Sequence, residues 1–254
     1  MEWLAPIAFL FAVTAVAVIG LLLIRQRINH AALARHNNVA SAVFSIVGTL
    51  FTVLLAFVVI VVWESQDKAA ERTALEAGIL GDLMRDAGLF PDPERTEFRN
   101  ELREYGQAVI NEEWPAMANG QSSSHVWDVL NRLFGSFSRL KPATPREINF
   151  HSEMLTRLNE LSDHRRLRLL SADSRVPPLL WAVLIAGALI TVGFSYFLGV
   201  EGDRAHALMT GSLAAMIAMT LYLIFAIDRP FAGTLRVEPH AFRIVLQNVA
   251  VPLR

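Results

Sequence analysis

The chain has 254 residues, 53% of them hydrophobic, with a mean hydropathy of +0.38 and a formal net charge of −1. That is too apolar for an ordinary water-soluble domain, and the charge balance offers nothing to a nucleic-acid partner. The chain has no cysteine, which excludes disulfides, thiol catalysis and thiolate-bound metals.

A membrane-spanning helix needs about 20 predominantly apolar residues. Four uncharged stretches meet that length: Trp3 to Ile24, Val39 to Trp63, Pro177 to Val200 and Ala205 to Ile227. The first begins Met1-Glu2-Trp3, without a basic leader, and its apolar run exceeds the roughly 7–15 residues of a secretory signal, so an uncleaved helix is expected. The layout is therefore a first helix pair over 1–63, an insert over 64–176, a second pair over 177–227 and a tail over 228–254. The first pair is joined by a basic link holding Arg25, Arg27 and Arg35; the second is joined by the short turn Glu201 to Arg204, which makes it an antiparallel hairpin.

The insert reads as all helix. Glu64 to Ala87 continues the second span without a breaker and carries Leu75, Ile79, Leu80 and Leu83 at helical spacing. After GLFPDP, Asp92 is placed as an N-cap with Pro93 at the first helical position. The helix that follows, to about Ala118, is expected to bury Phe98, Leu102, Tyr105, Val109 and Ile110. Beyond the loop NGQSSS, a short amphipathic helix is marked by Val126, Trp127, Leu130, Leu133, Phe134 and Phe137. Thr144, Pro145 and Glu147 then form a capping box, opening a helix to about Asp173 that carries Met154, Leu155, Leu158 and Leu161. The tail from Phe242 to Val251 fits a short amphipathic helix lying on the insert. No stretch alternates with period two for long enough to be a strand, and the fold class is all-α: an integral membrane protein with four transmembrane helices and a helical insert between the second and third.

With four spans, both termini and the insert share one side. Trp3, Trp63 and Trp181 stand at span ends on that side, as an aromatic belt would. Lys68, Arg72, Arg165, Arg166, Arg168, Arg175, Arg229, Arg236 and Arg243 lie near it, against Arg25, Arg27, Arg35 and Arg204 opposite. The positive-inside rule thus favours a cytoplasmic insert in a bacterial inner, or plasma, membrane, although the basic residues after the first helix argue the other way.

No catalytic constellation stands out. Glu160 and His164, four apart, could pair as a surface helix contact. Glu112 and Glu113 are adjacent, and adjacent helical side chains diverge by roughly 100°, which is wrong for an acid/base pair. Phosphate-cradling, zinc-protease and serine-hydrolase motifs are lacking. The expectation is a protein without enzymatic activity, cofactor or metal site.

The informative features belong to the membrane. Ser41, Ser45, Thr49 and Thr52 fall on one face of the second span, with Gly48 beside them. Such a hydroxyl row either packs against another helix, since small residues let backbones approach closely in lipid, or lines a wet path for an ion. His36, Asn37 and Asn38 give its mouth three uncharged polar side chains next to Arg35, a setting suited to an inorganic anion. Phe44, Phe51 and Leu55, on neighbouring faces, are candidates for an apolar constriction. The fourth span ends at Asp228-Arg229-Pro230, where proline stops the helix; the two charges there pair with each other or with the insert, or form an ordinary interfacial stop.

Taken together, ARHNNVASAVFSIVGTLFTVLLAFVVIVVWE, RLNELSDHRRLRLL, VPPLLWAVLIAGALITVGFSYFLG and IDRPFAGTLRVEPHAF resemble the bestrophin-like family of bacterial membrane proteins across nearly the whole chain. The family name implies a distant relation to bestrophins, pentameric anion channels with four membrane helices per subunit. Gly48, Phe57 and Trp63-Glu64 are similar to the glycine, phenylalanine and aromatic-acid pair of the bestrophin pore helix. Asp228, Pro230, Phe231 and Gly233 resemble the acidic-Pro-Phe-Gly motif with two single-residue insertions. The acidic cluster that binds calcium in animal bestrophins is missing, since the sequence runs on as TLRVEPHAF, so no calcium site is carried over. The bestrophin neck is bulky and apolar, whereas Ser41, Ser45 and Thr49 stand on the matching face. The resemblance implies a homo-oligomer in the lipid bilayer, a pentamer, that conducts anions past the second span. The competing expectation is a sensor or scaffold whose insert binds a cytosolic partner and which conducts nothing.

Overall fold

The structure, a computed structural model, describes residues 4–27 and 36–249. Trp3, Arg35 and the tail end at Val251 lie outside the described residues. The described residues hold helices and no strand: α1 (Leu4–Arg25), α2 (Asn37–Asp86), α3 (Glu94–Ala108), α4 (Trp114–Ala118), α5 (Ser124–Arg139), α6 (Pro145–Ala172), α7 (Pro178–Ser195), α8 (Asp203–Ile227) and α9 (His240–Val249). A 3-10 turn, Ala87–Leu89, follows α2, and a π-turn, Val109–Glu113, joins α3 to α4. Four of these helices contain stretches long and apolar enough to cross a membrane: α1, α2, α7 and α8. The chain divides into two units, Met1–Trp63 with Arg175–Asp228, and Glu64–Ser174 with Arg229–Arg254.

In the first unit the burial pattern is inverted relative to a soluble protein. Leu4, Phe11, Leu50, Val61, Leu179, Leu189, Leu208 and Phe225 are all exposed, as lipid-facing side chains must be. Inward, α1 lies along α8 through small residues. Gly211 of α8 sits where an added Cβ would meet Val18 at 3.3 Å and Thr14 at 3.6 Å. The Tyr196 hydroxyl reaches over Gly20 and donates to the Ala17 carbonyl at 2.9 Å. The inner face of α2, formed by Phe51, Leu55, Val58 and Val62, packs with Leu184 of α7 and Ile217, Ile224 and Ile227 of α8.

Polar side chains tie the ends of these helices. Arg25 pairs with Asp203 at 2.9 Å and donates to Nδ1 of buried His206 at 2.7 Å. The other ring nitrogen of His206 meets the Ser195 carbonyl at 2.9 Å, which fixes the neutral tautomer with the proton on Nε2. Asp228 accepts from the Val176 amide at 2.6 Å, occupying a donor just ahead of α7 that would otherwise be orphaned.

The second unit is a helical insert around one core. α3 and α5 pack through Phe98, Leu102, Leu130, Leu133 and Phe137, and α6 adds Met154, Leu158 and Leu161. α9 lies on this core with Phe242 buried and Leu246 against Gly106, where an added Cβ would approach Leu246 and Leu80 at 3.0 Å. The capping box at Thr144 and Glu147 is present as expected. Asp92 is not the N-cap: α3 starts at Glu94, and the Asp92 carboxylate accepts from the Thr96 hydroxyl at 2.7 Å and pairs with Arg95 instead of holding a backbone amide. Leu75, Trp127 and Leu155, expected on inner faces, are exposed.

One close approach fixes the register of α2 against α7. The Phe51 ring lies over Gly187, where an added Cβ would stand 2.5 Å from Cδ2. Gly187→Ala should therefore lower stability by about 1–3 kcal/mol, through overpacking of a filled site. Thermal denaturation in detergent checks this, and the double variant with Phe51→Leu should recover most of the loss. A fully stable single variant would mean that the ring does not sit there.

Candidate functional site

The hydroxyl row of α2 faces away from its own chain. Ser41, Ser45, Thr49 and Thr52 are all exposed, and an added Cβ at Gly48 would meet nothing within 4 Å. The Ser41 hydroxyl donates to the Asn37 carbonyl at 2.6 Å and that of Ser45 to the Ser41 carbonyl at 2.9 Å. These bonds to the preceding turn satisfy the hydroxyl protons and leave the oxygen lone pairs outward. At roughly 100° per residue, the row lies about a quarter-turn from the face of Phe51, Leu55, Val58 and Val62. Among the described residues, then, the row is not a packing seam within the chain.

The other expected site residues are placed as follows. Asn38 and His36 are exposed at the start of α2. Asn37 is half-buried, and its side-chain carbonyl accepts from the Gly199 amide at 3.0 Å, which ties α2 to the α7–α8 link. Phe44 is half-buried and stacks on Phe194 at 6.1 Å between centroids. Phe51 and Leu55 are buried in the core of their own unit. Trp63 and Glu64 are exposed, with Glu64 reached by Lys68 at 3.4 Å.

The segment after α8 splits its duties. Asp228 holds Val176, as described, and Arg229 is exposed. In the other unit, the Pro230 carbonyl accepts from the Val237 amide at 2.7 Å and closes a loop. Gly233, at φ +84°, makes the turn inside that loop, a conformation that favours glycine. Phe231 is buried edge-on to Trp114, with centroids 5.4 Å apart.

The sequence reading missed a charged cluster inside the insert. Arg168 is fully buried and spans two carboxylates: Nε and Nη2 donate to Glu76 at 2.6 and 3.0 Å, and Nη2 also to Glu113 at 2.7 Å. Arg165 grips Glu113 through Nε at 3.2 Å, and the Tyr105 hydroxyl donates to Glu76 at 2.7 Å. Two carboxylates therefore meet two guanidiniums. Trp114 lies under Arg168 at 5.4 Å, and Trp127 beside Arg165 at 5.5 Å. Burial disfavours the charged form of Arg168, yet the Glu76 and Glu113 carboxylates outweigh it and hold the guanidinium above its ordinary value. Burial also pushes the Tyr105 phenol well above its usual value, with the Glu76 charge adding to it.

The π-turn turns Glu113 inward. Pro115 has no amide to return to the carbonyl four residues back, and a wider turn absorbs that lost bond. Glu113 is fully buried and Glu112 exposed, as adjacent helical side chains should diverge. Glu112 accepts from Ser123 at 3.1 Å and pairs with His125 at 2.7 Å, while the other nitrogen of His125 meets Glu104 at 3.3 Å. No ion pair joins Glu160 to His164 among the described residues, and no cluster of histidine, aspartate and glutamate there could hold a metal ion.

A signal for the cluster was present in the spacing. The apolar row Met154, Leu158, Leu161 continues at Arg165 and Arg168, and Glu76 stands in line with Thr73, Leu80 and Leu83. Charged residues on an inner face must be paired, and these pair with each other.

The fold and its sites define a class: a four-span helical membrane protein with a helical insert between spans two and three. The chain belongs to the Bestrophin-like domain family, whose model matches residues 11–242. Its structure is similar to that of a bacterial bestrophin homologue from Klebsiella pneumoniae carrying an isoleucine-to-threonine substitution, at 13% identity and a TM-score of 0.69, covering 97% of this chain and 99% of that one. A leucine-to-threonine variant of a bestrophin homologue from the same organism gives 12% identity and a TM-score of 0.67, covering 96% and 97%. No curated protein matches the chain.

Two outcomes test the insert. Arg168→Met leaves Glu76 without its cation in a buried setting and should cost about 3–5 kcal/mol, read as a large drop in the thermal midpoint. Adding Glu76→Gln, which removes the stranded charge and keeps an acceptor for Tyr105, should recover a substantial part; no recovery would mean that Arg168 stabilises by packing alone. The second outcome concerns His125, whose hydrogen bond to Glu112 raises its pKa above the ordinary 6.5. Its contribution to the α3–α5 contact is full below about pH 6.5 and is lost as pH rises through the raised value. Nuclear magnetic resonance of the labelled imidazole should find a midpoint above 6.5 that falls in Glu112→Gln; a midpoint at or below 6.5 would remove the pair.

Proposed function

We propose that the chain is the subunit of a passive ion channel, favouring anions, in which identical copies form a closed ring with α2 lining a shared path. The observation that carries this reading is the hydroxyl row Ser41, Ser45, Thr49 and Thr52, uncovered by its own chain and open at Gly48. A polar row facing lipid wastes its acceptors, whereas one facing water or a permeating ion uses them. Four spans leave no room for a private pore, so the reading requires assembly, and the resemblance to bestrophins supports a pentamer. Asn37 and Asn38 form the mouth, next to basic residues that favour an inorganic anion. The positive-inside bias supports a bacterial inner membrane with the insert and both termini in the cytoplasm.

Phe44, Phe51 and Leu55 remain the proposed constriction, with a condition attached. Phe51 and Leu55 are engaged in the subunit core in this conformation. They would narrow the path only from a state in which α2 has turned by roughly a quarter of a revolution.

Native mass spectrometry of the complex in nanodiscs, joined to chloride flux from proteoliposomes, tests the proposal. The expected result is a ring of about five subunits, with flux cut at least about tenfold by Thr49→Leu. Unchanged flux would remove Thr49 from the path. A stable monomer without flux would replace the channel by the scaffold reading, with the insert as the working part.

A further inference from the structure

The insert carries a cleft of about 750 Å³ that no role described above uses. Its walls come from α6 and from the start of α5. One wall is apolar: Trp127 is 53% exposed and Leu170 62%, with Leu169 beside them. The opposite chemistry is supplied by Arg165, which is 4% exposed and lines the cleft. Its Nε and Nη2 are taken by Glu113, and Nη2 also approaches the Ser123 carbonyl at 3.5 Å. Its Nη1 makes no hydrogen bond among the described residues and is not among the fully buried atoms, so two N–H donors of this guanidinium remain open to solvent. An open guanidinium edge with two N–H donors is shaped for an oxyanion.

The rest of the lining sets charge and size. The hydroxyls of Ser122 and Ser124, just before and at the start of the sixteen-residue α5, make no hydrogen bond among the described residues and can donate. Arg166 pairs with Asp163 at 2.8 Å, so that carboxylate is neutralised. Asp173, at the end of α6, is the lining carboxylate without an ion pair among the described residues. A bare halide would leave most of the volume and the whole apolar wall unused, whereas clefts of this size hold small organic molecules.

We propose that this cleft binds an organic oxyanion with a planar apolar body, its phosphate or carboxylate on Arg165 Nη1 and the serine hydroxyls, and its body against Trp127 and Leu170. The site belongs to the insert alone and does not depend on whether the membrane helices conduct.

The test uses the full chain in detergent, titrated by calorimetry with phenyl phosphate and with inorganic phosphate, against a protein-free micelle reference. Phenyl phosphate should bind saturably, at least about tenfold more tightly than inorganic phosphate, a gap of about 1.4 kcal/mol for the apolar wall. It should also quench an indole signal that is absent in Trp127→Phe. Leu170→Asp places a like charge on the apolar wall at an exposed position, where the fold tolerates it, and should weaken binding about tenfold. Asp173→Asn removes a like charge and should tighten binding about threefold, a gain that a merely structural aspartate would not give. No saturable binding up to roughly 10 mM, equal affinity for inorganic phosphate, or an affinity that either substitution leaves unchanged would overturn the proposal.

Discussion

The guanidinium of Arg168 holds three segments of the insert together. It reaches Glu76 on α2 and Glu113 on the π-turn from its own position on α6, with Trp114 and Phe242 closing over it. Each partner is fully buried, so none can turn to water when another moves. Such a cluster adds little net stability compared with a well-packed apolar core, but it is intolerant of any arrangement that parts its members. The apolar contacts around it could slide by small steps; the charges cannot.

The membrane unit works under the opposite rule. With lipid outside and no hydrophobic drive between helices, close approach decides who packs against whom. Gly20, Gly187 and Gly211 are the points of approach, and each receives a particular neighbour: Tyr196, Phe51 and the Thr14–Val18 pair of α1. Arg25, His206 and Asn37 then tie the helix ends with hydrogen bonds that water competes for less well at the edge of an apolar layer. Within that frame α2 carries side chains of two natures on two faces, apolar toward its own helices and hydroxyl-bearing away from them.

The spans, the unbroken run of α2, the capping box at Thr144 and the helix on the tail were legible in the sequence because each depends on local pattern. Uncharged length marks a span, and Thr144 with Glu147 bonds backbone amides within the same turn. What escaped depends on contacts distant in the chain. Arg165 and Arg168 sit in the same heptad row as Leu158 and Leu161, but their carboxylate partners, Glu76 and Glu113, lie far away in the chain, so the sequence counts them only among the basic residues near the membrane. Phe51 reads as a constriction candidate because nothing local announces that Gly187 leaves room for its ring. Asp92 read as a cap by type and position, yet Thr96 and Arg95 offered its carboxylate better partners than a backbone amide.

The π-turn has a consequence for how this chain can vary in length. A π-turn holds one residue more than an α-turn, and one residue corresponds to roughly 100° of helical rotation. The turn is thus a counter: it records a single extra residue as a rotation of everything that follows. Removing one residue between Val109 and Glu113 would leave a smoother helix with Pro115 forced into its interior, and would swing Glu113 out of reach of both arginines. In this turn the number of residues is itself the structural information.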